Sequence, residues 1–146
     1  MSINDIGTTL AIATGLPATF DETGYEALTW VVIGGLVSIG EVGDDHETIS
    51  IPDLTAGRIR TIKGAATGTT IQVSLFEVPS DAGQAAAELA AKGPGGEYSF
   101  RVSDVAGADQ YFSGVAMSWK RTERSTGSYA GYTFSVTTNY ATVSGT

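Results

Sequence analysis

The most informative pattern of apolar and polar residues starts at Thr69 and runs, with one interruption, to Val102. Ile71, Val73 and Leu75 alternate with Gln72 and Ser74, the period of two that marks a strand with one buried face. The interruption carries the signs of a helix over about 81–92. Pro79, Ser80 and Asp81 form its start, and Gln84, three residues after Asp81, is placed to complete a capping box. Ala85, Ala86, Leu89 and Ala90 form a narrow stripe of small and apolar residues, and Gly93-Pro94-Gly95-Gly96 stops the helix. Alternation then resumes, with Tyr98, Phe100 and Val102 set against Ser99, Arg101 and Ser103.

Outside this run the chain reads as β. Gly7–Thr14 makes a first strand with Leu10 and Ile12 on one face, and a loop from Gly15 to Gly24 leads to a single helical turn at Tyr25–Leu28. Trp30–Val42 is apolar but interrupted by Gly34, Gly35 and Gly40, which favours a strand bent near Gly34-Gly35. The stretch 41–68 has little core character. Two short strands, His46–Ile51 and Arg58–Lys63, give it the form of a long projecting loop or hairpin. Tyr111–Trp119 places Tyr111, Val115, Met117 and Trp119 on one face and Phe112, Gly114, Ala116 and Ser118 on the other, so cover is expected on both sides. Tyr132, Phe134 and Val136 define a last strand, followed by a small polar tail, 139–146. The pattern predicts a mainly β (α+β) fold with one flanking helix.

The length of 146 residues fits one domain, and an apolar fraction of 42% suffices for a core. No stretch approaches the ~20 apolar residues of a membrane span, and Met1-Ser-Ile-Asn-Asp has no basic leader, so neither membrane nor secretion is expected. The chain has no Cys, which excludes disulfides and thiolate metal sites. The net charge is −8, unevenly spread: nine acids and no Lys or Arg precede Arg58. Such a balance disfavours a grip on nucleic acid, which needs cations to replace counterions, but suits a wall that nucleic acid passes. Within the projecting stretch, Glu41, Asp44, Asp45 and Glu47 come before Arg58, Arg60 and Lys63. Two readings stay open: a hairpin laced by its own ion pairs, or a contact whose opposite charges align one subunit's loop with the next.

Catalytic chemistry finds little to use. His46 is the only histidine, and no GxSxG elbow accompanies it. Asp44, Asp45, His46 and Glu47 are consecutive, and an extended chain turns neighbours to opposite faces, so they do not converge on a metal ion. Gly93–Gly96 closes a helix and lacks a following Lys-Ser/Thr, unlike a phosphate loop. No enzyme activity and no cofactor are expected. The aromatics Phe100, Trp119, Tyr132 and Phe134 fall at strand core positions. Trp30 suits either a core anchor or an anchor between subunits.

In their order these elements resemble the major tail tube proteins of long-tailed, siphophage-type bacteriophages. The landmarks are the Gly7-Thr-Thr-Leu10 strand, the stretch ending at Trp30, the long loop with Gly57, Ile71-Gln-Val-Ser-Leu-Phe76 leading into the helix with Leu89 packing inward, Tyr98–Val102, Tyr111–Met117 and Tyr132–Thr138. The resemblance implies a β-sandwich or barrel-like tail-tube domain over 1–146, with an N-terminal arm, a stacking loop at about 41–68 and a C-terminal arm at about 139–146. It also implies hexameric rings stacked into a tube, assembled in the host cytoplasm and carried in the virion as the conduit for DNA ejection. Its partners would be further copies of itself, a tape-measure protein, a tail terminator and baseplate or distal tail proteins. DNA would pass without specific binding. Candidate contacts between subunits are Trp30, Glu41, Asp44, Asp45, Glu47, Arg58, Arg60 and Lys63. The alternative is a non-enzymatic β-sandwich module that binds carbohydrate or a host receptor.

Overall fold

The computed structural model describes residues 7–93, 96–104 and 109–145. The first six residues of the expected N-terminal arm lie outside the described residues, as do Pro94, Gly95 and Thr146. In chain order the elements are β1 (Thr9–Thr14), α1 (Glu22–Glu26), β2 (Val31–Ile33), β3 (Leu36–Ile39), β4 (Asp45–Asp53) and β5 (Arg58–Thr67). There follow β6 (Thr70–Phe76), α2 (Ala82–Lys92), β7 (Tyr98–Ser103), β8 (Asp109–Arg121), β9 (Gly131–Thr138) and β10 (Val143–Ser144). The main sheet is antiparallel with strand order β2-β1-β7-β8-β9-β6-β3, and β10 pairs with β8. β4 and β5 pair only with each other and form a separate two-stranded ribbon.

The two ends of this sheet are consecutive in the chain. β2 and β3 lie at opposite ends of the strand order, yet only Gly34 and Gly35 separate them. A link that short reaches roughly 10 Å at full extension. The sheet therefore curls until its ends nearly meet, which makes the body barrel-like. The expected bend at Gly34-Gly35 is present, but it joins two strands rather than kinking one. Gly35 has φ +75°, and a Cβ there would overlap the Phe76 carbonyl oxygen, so glycine is required on two counts.

Leu10, Ile12, Ile71, Val73, Leu75, Phe100, Phe112, Phe134 and Val136 point into the curl and form the core. α2 packs on β8, β2 and β1 and adds Ala87 and Ala90 to that core. The face of α2 turned inward is Gly83, Gln84, Ala87 and Ala90, while Leu89 is 67% exposed. The expectation that Leu89 packs inward is thus corrected. The helix approaches β2 so closely that a Cβ on Gly83 would overlap the Val32 carbonyl, so that position admits only glycine.

The capping box forms by half. Asp81 accepts a hydrogen bond from the Gln84 N–H (2.9 Å), as the sequence predicts. The Gln84 side chain goes elsewhere: its amide donates to the Gly34 and Phe76 carbonyls (both 2.8 Å) and accepts from the Val78 N–H (3.2 Å). Asp81 also accepts from the Gly34 N–H (3.0 Å). Where the helix abuts the strand ends, those backbone groups lose water and need partners more than the helix start does.

Trp119 packs on the core as expected, but the face it was grouped on with Met117 is corrected. Ser118 adopts φ +65°, and the pairing of β8 with β9 slips by one residue between Met117 and Lys120. This bulge turns Trp119 off the Met117 face and onto the core side, stacked on Tyr132 (5.0 Å between centroids) and Phe134 (5.7 Å). The start of β8 is covered on both faces, as expected. Phe112 faces the core, and Tyr111 packs under Tyr25 and Trp30 from the α1 segment.

Tyr25 has no exposed surface, and its hydroxyl shares a hydrogen bond with Ser113 (2.8 Å), which is bonded in turn to Ser99 (3.0 Å). Burial holds the Tyr25 phenol above its ordinary value, only partly offset by the Ser113 bond, and Tyr111 is raised for the same first reason. Both groups fold as neutral phenols with raised pKa. Their contribution is complete below about pH 10, the ordinary phenol value, and is lost as pH rises through the folded-state values. Denaturation midpoints measured at pH 8 and pH 11 should fall at the higher pH, and by less in Tyr25→Phe. An equal fall in both proteins would place the alkaline sensitivity elsewhere.

Candidate assembly interface

The ribbon β4–β5 follows from local chemistry at its tip. Asp53 accepts from the Ala56 N–H through its carboxylate (3.1 Å) and from the Gly57 N–H through its carbonyl (2.9 Å), and Gly57 takes the left-handed conformation (φ +67°) that ends the turn. This sets Asp53 opposite Arg58 and fixes the register: Ile51 faces Arg60, Ile49 faces Ile62 and Thr48 faces Lys63. One face then presents Ile49, Ile51 and Ile62 with Arg58 and Arg60 toward the tip. No residue from Asp45 to Thr67 is buried, and Leu54 at the tip is 97% exposed. Ile49, Ile51, Ile59 and Ile62 are exposed as well.

The same register separates the charges. Glu41, Asp44, Asp45 and Glu47 lie at the root, whereas Arg58 and Arg60 lie at the tip and Lys63 between. Asp45 stands opposite Thr67, not opposite a cation. Among the described residues the ion pairs are Lys92–Glu88 (2.8 Å) and Arg121–Glu77 (3.6 Å), and none laces the ribbon. Antiparallel pairing brings the last residues of the basic strand against the first of the acidic one, so the two charged groups are held apart.

The root is tied to the body. Asp44 accepts from the Thr142 N–H (3.1 Å) and hydroxyl (3.2 Å), and the Thr69 hydroxyl donates to the Gly43 carbonyl (2.9 Å). The tail segment therefore folds back: Val143–Ser144 pairs with β8, and Tyr140 stacks on Phe20 (4.4 Å). Beside the root two open clefts adjoin. One, of about 640 Å³, is lined by Glu41, Asp44, Asp45 and Thr69 among others. The other, of about 700 Å³, is lined by β3, Val102 and Asp104, and the two share Gly40 and Val42.

Trp30 is engaged within the subunit. Its indole N–H donates to the Tyr25 carbonyl (2.9 Å), Tyr111 lies against it (6.0 Å) and the Arg101 guanidinium lies over its ring (5.3 Å). The structure thus groups the acids at the root and Arg58 with Arg60 at the tip, and places Trp30 apart in the packing of α1 on the sheet. His46 stands on the exposed ribbon opposite Ala66. Among the described residues, no three His, Asp or Glu side chains are grouped as metal ligands. Sequence reasoning missed Leu54, Ile59 and Ile62, whose only signal was apolar residues in a stretch without core periodicity. It also missed the unpaired edge of β3 and Asp104 beside it, which only the strand order brings together.

No family profile and no curated protein matches the chain. Solved structures do. The PVC sheath/tube terminator of an extracellular contractile injection system matches with a TM-score of 0.67 at 12% identity, over 100% of this chain and 98% of that one. A chain from the tail of an empty GTA particle with C6 symmetry matches at 0.60 and 18% identity, over 91% and 92%. The tube-terminating cap of the anti-feeding prophage matches at 0.61 and 12%, over 100% and 93%. The chain has a tail-tube fold. The β-rich body with its flanking helix is the architecture shared with these phage-like tube and terminator chains. Because they come from contractile injection systems as well as a gene transfer agent, the tail-tube fold here is broader than the siphophage type alone.

Proposed function

We propose that this protein is a structural subunit of a phage-like particle, whose copies join into rings, six to a ring, that stack into a tube through which DNA leaves the virion. The observation that carries this reading is the ribbon: a long hairpin with no buried residue and five large, exposed apolar side chains, on a tail-tube body. An isolated two-stranded ribbon is marginal in water, and its exposed apolar surface marks an interaction site. Free strand edges, hazardous on a monomer, become joints in a closed ring. The outward positions of β6 and β9 include Thr70, Gln72, Ser74, Thr133 and Thr137, so these two strands add no cation for phosphate beside the exposed Lys120, which stands opposite Thr133 on β8. Tape-measure, terminator and baseplate proteins are the partners such a tube requires.

A second reading, that the protein caps a tube rather than building its length, is favoured by the end-to-end match with terminator chains. Negative-stain electron microscopy of concentrated protein distinguishes the cases. Long tubes are expected for a tube subunit and single rings for a terminator. A particle that stays monomeric at every concentration would overturn the assembly reading and favour a binding module, to be followed by a glycan-binding screen.

A further inference from the structure

The ribbon and the clefts at its root are complementary, and they lie at opposite ends of the same element. The tip carries Arg58, Arg60, the almost fully exposed Leu54 and the exposed Ile59. The carboxylate of Asp53, the one acid there, is hydrogen-bonded to its own turn. At the root, the two adjoining clefts are lined by Glu41, Asp44, Asp45 and Asp104 with no Lys or Arg, and by the apolar Leu36, Ile39 and Val42. One edge of β3 is paired with β6, and no described strand pairs with its other edge. A tip cannot reach its own root, because the nine-residue strand between them holds them roughly 25 Å apart along the ribbon.

We infer that the ribbon tip of one copy docks into the root clefts of the next, beside the free edge of β3. This rests on the proposed self-assembly and names its joint. Arg58 and Arg60 meet Glu41, Asp45 and Asp104, while Leu54 and Ile59 enter the apolar part of the clefts. The contact is heterologous: each copy offers a tip to one neighbour and a root to the other. With its tip and root engaged by different neighbours, such a joint closes into a ring or propagates as a chain. The segregation of charge along the ribbon gives the joint its polarity, since tip against tip or root against root would place like charges together.

A mixing experiment tests the pairing. Two variants are made, Arg58→Glu/Arg60→Glu at the tip and Glu41→Lys/Asp45→Lys at the root; all four positions are exposed, and unfolding curves matching the parent protein confirm that both fold. Each variant alone is expected to lose assembly, by light scattering and microscopy, at concentrations where the parent assembles. Their equimolar mixture is expected to regain it, because alternating copies present Glu tips to Lys roots and Arg tips to acidic roots. A parent that assembles while the mixture stays inert overturns the tip-to-root joint and leaves the assembly reading standing. Variants that assemble alone as well as the parent also overturn the joint. A parent that never assembles overturns both.

Discussion

A chain in which 47–65 are replaced by Asn-Gly, joining His46 directly to Ala66, should fold as stably as the parent and fail to assemble. The two joined residues are opposite one another in the ribbon, so a two-residue turn closes them without disturbing the strands below. Everything removed is exposed or half-exposed, and the ribbon pairs only with itself. Its loss uncovers no core. The change in stability should stay within about 1 kcal/mol, the range of substitutions that touch neither core nor polar networks. Assembly, by contrast, should vanish, because the tip charges and the exposed Leu54, Ile51, Ile59 and Ile62 go together. Thermal unfolding and electron microscopy on the same sample read the two effects separately. Rings or tubes from the shortened chain would show that the subunits join elsewhere. Loss of folding would make the ribbon part of the stability of the body.

The second large effect is expected inside the subunit. Gln84→Leu should cost about 3 kcal/mol, because three backbone groups, one between β2 and β3 and two at the end of β6, lose their partner where α2 meets the sheet. For a chain of this size that corresponds to a fall in Tm of roughly 10 °C. Leu matches Gln in bulk but offers neither donor nor acceptor to Gly34, Phe76 and Val78. Gln84→Glu supplies a sharper control. Its carboxylate keeps the acceptor for the Val78 N–H but faces the Gly34 and Phe76 carbonyls with no proton to donate. Those contacts raise its folded-state pKa, so its deficit against the parent should shrink as pH falls and the group protonates. A Leu variant within 1 kcal/mol of the parent, or a Glu variant whose deficit ignores pH, would show that water replaces the amide.

Much of the fold was legible because period-two alternation reports burial directly. Ile71–Leu75, Tyr98–Val102 and Tyr132–Val136 alternate because each has one face toward the core. Their neighbours in the sheet could not be read. The misreadings have local causes. Leu89 looked like the anchor of its helix, but α2 turns Gly83, Gln84, Ala87 and Ala90 toward the body and leaves Leu89 outside. Trp119 was assigned by counting twos, and the left-handed Ser118 shifts that count by one. At the candidate interface the sequence showed the residues and their charges but not their separation. Acids before a turn and bases after it look paired on paper; the observed register keeps them apart.

By itself, then, the sequence determined where the long core strands run, where one helix starts and stops, and that a long, charge-divided hairpin has no core of its own. These follow from interactions between residues a few positions apart. Only the tertiary structure decided that β2 and β3 close a curled sheet from opposite ends, that Gln84 reaches across to Gly34 instead of closing its own cap, and that β3 leaves a free edge beside an acidic root. Each depends on contacts between residues distant in sequence, where backbone groups stripped of water take whichever partner the packed chain brings within reach.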